Sequence, residues 1–92
     1  MRFTQLIRTD HFKKDYRKLP QYIQKQVEKK LRFFVTNPLH PSLRTQKVEG
    51  EVLGLRDVFE GSITMKYRFL YRIMGDTCEL LRVGTHDQIF GR

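Results

Sequence analysis

The residues of this sequence able to do chemistry are one well-placed histidine, a set of arginines and lysines, and aromatic side chains interleaved with them. His86 lies in the tail Gly84-Thr-His-Asp-Gln-Ile-Phe90, and Arg68 lies in the alternating stretch Ile63 to Ile73. A histidine exchanges a proton near neutral pH, whereas an arginine keeps its charge and grips two phosphate oxygens through its planar fork. That inventory suits metal-free RNA cleavage. In such a reaction the ribose 2′-hydroxyl attacks the adjacent phosphate, and the protein supplies a proton acceptor, a proton donor and positive charge. Other chemistries lack their residues. His11, His40 and His86 are far apart in sequence, Cys78 has no cysteine neighbour, and no glycine-rich phosphate loop occurs. Ser42 and Ser62 sit outside any Gly-x-Ser-x-Gly frame. The sequence thus calls for no metal and no small-molecule cofactor.

The elements that must position these residues can be read from periodicity. In the stretch Ile63 to Ile73, Ile63, Met65, Tyr67, Phe69, Tyr71 and Ile73 fall at every second position, which predicts a strand with those six on its core face. Thr64, Lys66, Arg68, Leu70 and Arg72 then form a cationic opposite face. Gly75-Asp76 suits a tight turn into a second strand, Thr77 to Gly84, and a hairpin of this kind brings Arg68 level with His86. Upstream, Phe3 to Ile7 reads as an edge or flanking strand, and Thr9 or Asp10 can cap a helix bearing Phe12, Tyr16 and Leu19 on one stripe. Pro20 separates it from a second helix with Ile23, Val27, Leu31, Phe34 and Val35 at helical spacing, ending at Asn37-Pro38. Leu39 to Gly54 is irregular, with room for a short strand at Thr45 to Val48, and Leu55 to Phe59 is a third strand candidate. The order predicts one α+β domain over residues 1–92, β-α-α-β-β-β, an antiparallel meander packed against a two-helix hairpin.

Eighteen lysines and arginines against ten acidic residues give a formal net charge of +8 and a pI near 10.0. Such an excess favours a polyanionic partner, nucleic acid or an acidic protein segment, although a basic surface also serves solubility alone. One cysteine excludes an internal disulfide framework and fits a reducing compartment. No apolar run approaches the ~20 residues of a membrane span. The expectation is a soluble, cytoplasmic protein with no membrane partner.

The element order and several local motifs together resemble the RelE/ParE superfamily of toxin–antitoxin toxins over nearly the whole chain. The motifs are Phe12 and Leu19 in the first helix, Asn37-Pro38 after the second, Lys47-Val-Glu-Gly50 before the sheet, Tyr67-Arg-Phe-Leu-Tyr71, and Val83-Gly-Thr-His-Asp-Gln-Ile-Phe90. The closing Gly-Thr-His-x-x-x-Phe looks most like the YafQ-type branch. The resemblance implies a toxin of a type II system that cuts mRNA on the ribosome, held in check by a cognate antitoxin protein. ParE-like members instead inhibit DNA gyrase, and a third possibility is a member that binds without catalysis. By the same resemblance Arg68 matches the arginine at the scissile phosphate, His86 the catalytic histidine, Phe90 a terminal aromatic that stacks on a base, and Lys47 a catalytic group ahead of the sheet. Lys66, Arg56 and Arg82 are the further cations that would contact RNA. The YafQ-type histidines near Gly50 and in the Phe59 to Thr64 segment are missing here. With His86 as acid, the base then falls to Lys47, Glu49 or Asp87.

Each of these residues also has a purely structural reading. Arg68 would be a solvated sheet arginine, His86 a turn residue beside Asp87, and Phe90 a core residue closing the sheet end. His11 and His40 read as surface residues, Glu49 and Asp57 as ion-pair partners of nearby cations, and Cys78 as a buried thiol.

Overall fold

A computed structural model describes residues 2–90. The chain runs β1 (Gln5–Arg8), α1 (Asp10–Arg17), α2 (Gln21–Thr36), a 3-10 turn (Pro41–Leu43), β2 (Gln46–Lys47), β3 (Phe59–Ser62), β4 (Tyr67–Met74), β5 (Thr77–Thr85) and α3 (His86–Ile89). The strands form one sheet in the order β1-β5-β4-β3-β2. Strands β3, β4 and β5 make the expected three-stranded antiparallel meander, the two-residue β2 extends it antiparallel to β3, and β1 adds to the other edge parallel to β5, with Gln5 opposite Thr77. The α+β architecture read from the sequence is thus the observed one, with a mixed sheet.

Helix α1 starts at Thr9, whose hydroxyl accepts from the Phe12 N–H at 3.3 Å and donates to the Leu80 carbonyl at 2.7 Å, so the cap also fastens the helix to β5. Pro20 stands just before α2, and Ile23, Val27, Leu31 and Phe34 are its buried stripe. Phe34 seals the helices onto the sheet: its ring lies 5.3 Å from that of Phe69 and 4.8 Å from that of Tyr71, both edge-on. Pairs in this geometry contribute about 0.5–1.5 kcal/mol each beyond their buried area. Val35, expected on the same stripe, is instead 47% exposed, because the next helical position turns past the sheet.

Three strand expectations move. The long strand begins at Tyr67, and residues 63–66 form the turn that the β3–β4 hairpin needs. There the Thr64 hydroxyl accepts from the Lys66 and Tyr67 amides, so Met65 is carried out to 78% exposure while Ile63 stays buried. The third strand is Phe59–Ser62 in place of Leu55 to Phe59. Leu55 bridges back to Val52, and Leu53 and Asp57 take left-handed φ of 53° and 59°, which keeps this segment from extending. The face opposite the main core is also less polar than its cations suggest. Leu70 is fully buried there in a second cluster with Val52, Val58, Leu81 and Ile89. Arg68 and Arg72 are not an open cationic surface, since each pairs with a carboxylate, Glu60 and Glu79.

The hairpin turn is Gly75-Asp76, with φ of +59° at Gly75 and a positive φ at the first central residue only, the pattern of a II′ turn. Strand β5 carries one irregularity. Leu70 pairs with Arg82 and Tyr71 with Leu80, so Leu81 is an extra residue, and this bulge turns Leu81 into the second cluster. The Asp15 carboxylate accepts the Val83 N–H at 3.1 Å beside it.

Two outcomes test this packing. A Cβ at Gly61 would stand 2.5 Å from the buried Phe69 ring that lies opposite it in β4. Gly61→Ala should therefore cost roughly 1–3 kcal/mol in urea denaturation. Burial pushes the Cys78 thiol up to about 12, so the folded chain should resist a thiol-reactive dye at pH 8 and react fully once unfolded.

Candidate functional site

The β4–β5 register sets Arg68 opposite Gly84 and Tyr67 opposite Thr85, so the residue after β5, His86, arrives at the end of the sheet where Arg68 stands. There Thr85 and Gln88 form a reciprocal capping box. The Gln88 N–H donates to the Thr85 hydroxyl at 3.3 Å, and the Thr85 N–H donates to the Gln88 side-chain oxygen at 2.8 Å. The single turn α3 that results is possible because position 84 is glycine: a Cβ there would come 3.3 Å from Ile89 and 2.7 Å from Gln88. Arg82 ties the turn down from below, donating to the Gln88 carbonyl at 3.3 Å while its ion pair with Asp15 closes at 2.6 Å.

Arg68 and His86 line one cleft of about 360 Å³ with Arg44, Gln46, Glu60, Ser62, Met65 and Lys66. Arg68 is held on three sides. Its guanidinium donates to the Ser62 hydroxyl and to the Thr64 carbonyl at 2.8 Å, and its Nε lies 3.3 Å from the Glu60 carboxylate. Glu60 in turn accepts from Gln46 Nε2 at 3.1 Å. Glu60 and Ser62 are the buried polar side chains among the described residues, and both serve Arg68. A guanidinium fixed in this way meets an oxyanion without first being ordered, which is how preorganised donors act. His86 is 70% exposed on its side chain, with Nδ1 4.0 Å from an Asp87 oxygen and its ring 4.6 Å from that of Phe90.

The other sequence candidates are distributed differently. Lys66 is in the cleft, its ammonium also 5.9 Å from the Tyr67 ring. Phe90 leans on His86 and packs on the second cluster, away from the cleft lining. Lys47 pairs with Asp57 at 3.0 Å and Arg56 with Glu51 at 3.6 Å, and with Glu49 they line a separate cleft. Arg82 is engaged by Asp15 of α1, which sits at the β5 edge and also accepts the Val83 N–H. Sequence reading misses Arg44, Gln46, Glu60 and Ser62. Glu60 and Ser62 are legible in principle, since a strand at Phe59–Ser62 puts both on the Arg68 face; a strand placed four residues earlier hides them. Among the described residues no group of three or more His, Cys, Asp or Glu side chains could hold a metal ion.

The sequence matches the model of a family described as the ParE toxin of the type II toxin–antitoxin system parDE, over residues 6–90. The chain belongs to this family. No curated protein matches it. Its fold is similar to that of YafQ from E. coli strain BL21(DE3), with a TM-score of 0.78 at 14% identity, covering 99% of this chain and 100% of that one. YafQ in the E. coli DinJ–YafQ toxin–antitoxin complex gives 0.75 at 14% identity with the same coverage. The archaeal RelE–RelB complex from Pyrococcus horikoshii OT3 gives 0.69 at 16% identity, covering 92% and 96%. The toxin is thus a RelE/ParE superfamily member of RelE- and YafQ-like fold. No helix among its described residues is long and apolar enough to cross a membrane.

The toxin's central ion pair makes a prediction about stability. Arg68→Ala leaves the Glu60 carboxylate buried with Gln46 as its remaining partner, and should cost roughly 1–3 kcal/mol in urea denaturation. Adding Glu60→Gln to that variant should return part of the loss, which a double-mutant cycle measures.

Proposed function

We propose that this toxin is an endoribonuclease that cuts mRNA on the ribosome and so stops translation, and that a cognate antitoxin with an acidic segment neutralises it. The observation that carries this reading is one cleft holding a fixed guanidinium, a buried carboxylate and an imidazole: Arg68, Glu60 and His86. A pure gyrase inhibitor needs a docking surface and no proton-transfer groups.

In the reaction, Arg68 engages the scissile phosphate and stabilises the charge that develops on it. The 2′-hydroxyl attacks the neighbouring phosphorus and loses its proton, for which Glu60 is the carboxylate at hand. Lys47 and Glu49 line the other cleft, and Asp87 is outside the lining of this one. His86 protonates the departing 5′-oxygen, leaving a 2′,3′-cyclic phosphate and a free 5′-hydroxyl, so the protons balance between acid and base. Exposure suits His86 to re-equilibrate its proton with water between turnovers. No step calls for a cofactor. Lys66 adds positive charge at the cleft, and Phe90 steadies the histidine ring. The antitoxin proposal draws on the net charge of +8 and on the DinJ–YafQ and RelE–RelB complexes.

The match to a ParE family model supports a second reading, gyrase inhibition. One experiment separates the two: the toxin is added to a translating extract, mRNA 5′ ends are mapped, and gyrase supercoiling is assayed in parallel. His86→Ala should lower cleavage by about 10²–10⁴-fold while antitoxin binding is kept. Intact mRNA together with blocked supercoiling would replace the nuclease reading with the other.

A further inference from the structure

We infer that the cleft extends into a second phosphate subsite, built by Arg44 and Lys30, that holds a flanking phosphate of the same single RNA strand. This rests on the RNA reading above. The cleft around Arg68 shares Arg44, Ser62 and Met65 with an adjoining cleft of about 200 Å³ lined by Lys30, Ser42, Ile63 and Thr64. Shared lining at Arg44, Ser62 and Met65 joins the two into the proposed groove. It runs from His86 past Arg68 to the α2 face, where the Lys30 ammonium touches the Ser42 carbonyl at 3.5 Å.

Charge along this groove is unbalanced. Arg8, Arg56, Arg68, Arg72 and Arg82 each have a carboxylate partner. Arg44, Lys30 and Lys66 have none among the described residues, and the single carboxylate lining the groove, Glu60, is already matched to Arg68. Three cations therefore face the groove uncompensated, and a polyanion laid along it supplies their missing partners.

Arg44 adds an independent observation. It ends the 3-10 turn in the left-handed conformation, φ 49° and ψ 45°. Glycine or asparagine adopts that conformation readily, and arginine does so at a cost. The Arg44 side chain is exposed and has no carboxylate partner among the described residues, so neither burial nor an ion pair offsets that cost. Met65, at 78% exposure, lines both clefts between Arg44 and Arg68. An apolar side chain flanked by cations matches the alternation of bases and phosphates in a single strand, whereas a free phosphate would use only one of the cationic positions.

The test measures binding, not cleavage, with two non-cleavable 2′-O-methyl RNA probes labelled through a phosphate-free linker: a hexanucleotide and a dinucleotide with one phosphate. Arg44→Gly and Lys30→Gln should each weaken the hexanucleotide roughly five- to tenfold at low salt and reduce the slope of log affinity against log salt by about 0.7, the value for one phosphate on a single strand. Dinucleotide binding should be unchanged, because its phosphate sits on Arg68. Arg44→Gly also relieves the left-handed strain, so its melting temperature should equal or exceed that of the parent, and a binding loss is then not a folding loss. Three outcomes overturn the subsite: unchanged hexanucleotide affinity and slope, an equal loss with the dinucleotide, or weakening of the antitoxin complex alone. Because no probe is cleaved, a failed nuclease assay leaves these results standing, and unchanged binding leaves the roles of His86 and Glu60 untouched.

Discussion

A carboxylate that gives up most of its contact with water must find a cation and hydrogen-bond donors, and Glu60 imposes that requirement on everything around it. Arg68 comes from β4, Gln46 from β2, and Ser62 and Thr64 complete the guanidinium's bonds from the start of the β3–β4 turn. Three strands and a turn are thereby locked into one register by a single charge, and a slip by one residue would strand it. The same ion pair that specifies the sheet edge also aims an arginine into a cleft with His86, so the fold and the candidate site share their central interaction.

The rest of the site is supported at one remove. Asp15 accepts the Val83 amide beside the β5 bulge and binds Arg82, which reaches the Gln88 carbonyl of the turn bearing His86. The bulge lets Leu81 enter the second cluster while Val83 returns to the main one. Helix α1 thus braces the turn that bears the histidine from the β5 edge, and Arg82 contributes to the site as a strut.

Much of this is legible in the chain because the signals are local. The α1 and α2 stripes, the Thr9 cap, the Gly75 turn and the alternation Tyr67, Phe69, Tyr71 all depend on spacing within a few residues. The capping pattern Thr85-x-x-Gln88 is equally local and points to α3, a helix that the sequence reading of the tail lacks. What sequence reading misplaces depends on distant partners. Residues 63–66 alternate perfectly yet must turn, because β3 needs a hairpin there. Leu55 to Phe59 looks extended yet is consumed by a bridge to Val52 and two left-handed residues. The cations pose the same difficulty. Arg44, Arg68 and Arg82 are identical in sequence terms, and only the placement of Asp15 and Glu60 decides which is committed inside the protein and which is left facing outward.

The parallel seat of β1 on β5 also has a consequence for how the chain is made. Gln5 through Arg8 are synthesised about seventy residues before their hydrogen-bond partners, Thr77 through Leu80. The helical hairpin can form early, but the first strand must wait unpaired while the meander behind it is translated. Glu60, Arg68 and His86 also enter the exit tunnel in that late portion. Glu60 and Arg68 precede β5 and His86 follows it, so completion of the sheet and assembly of the cleft fall at nearly the same moment of synthesis.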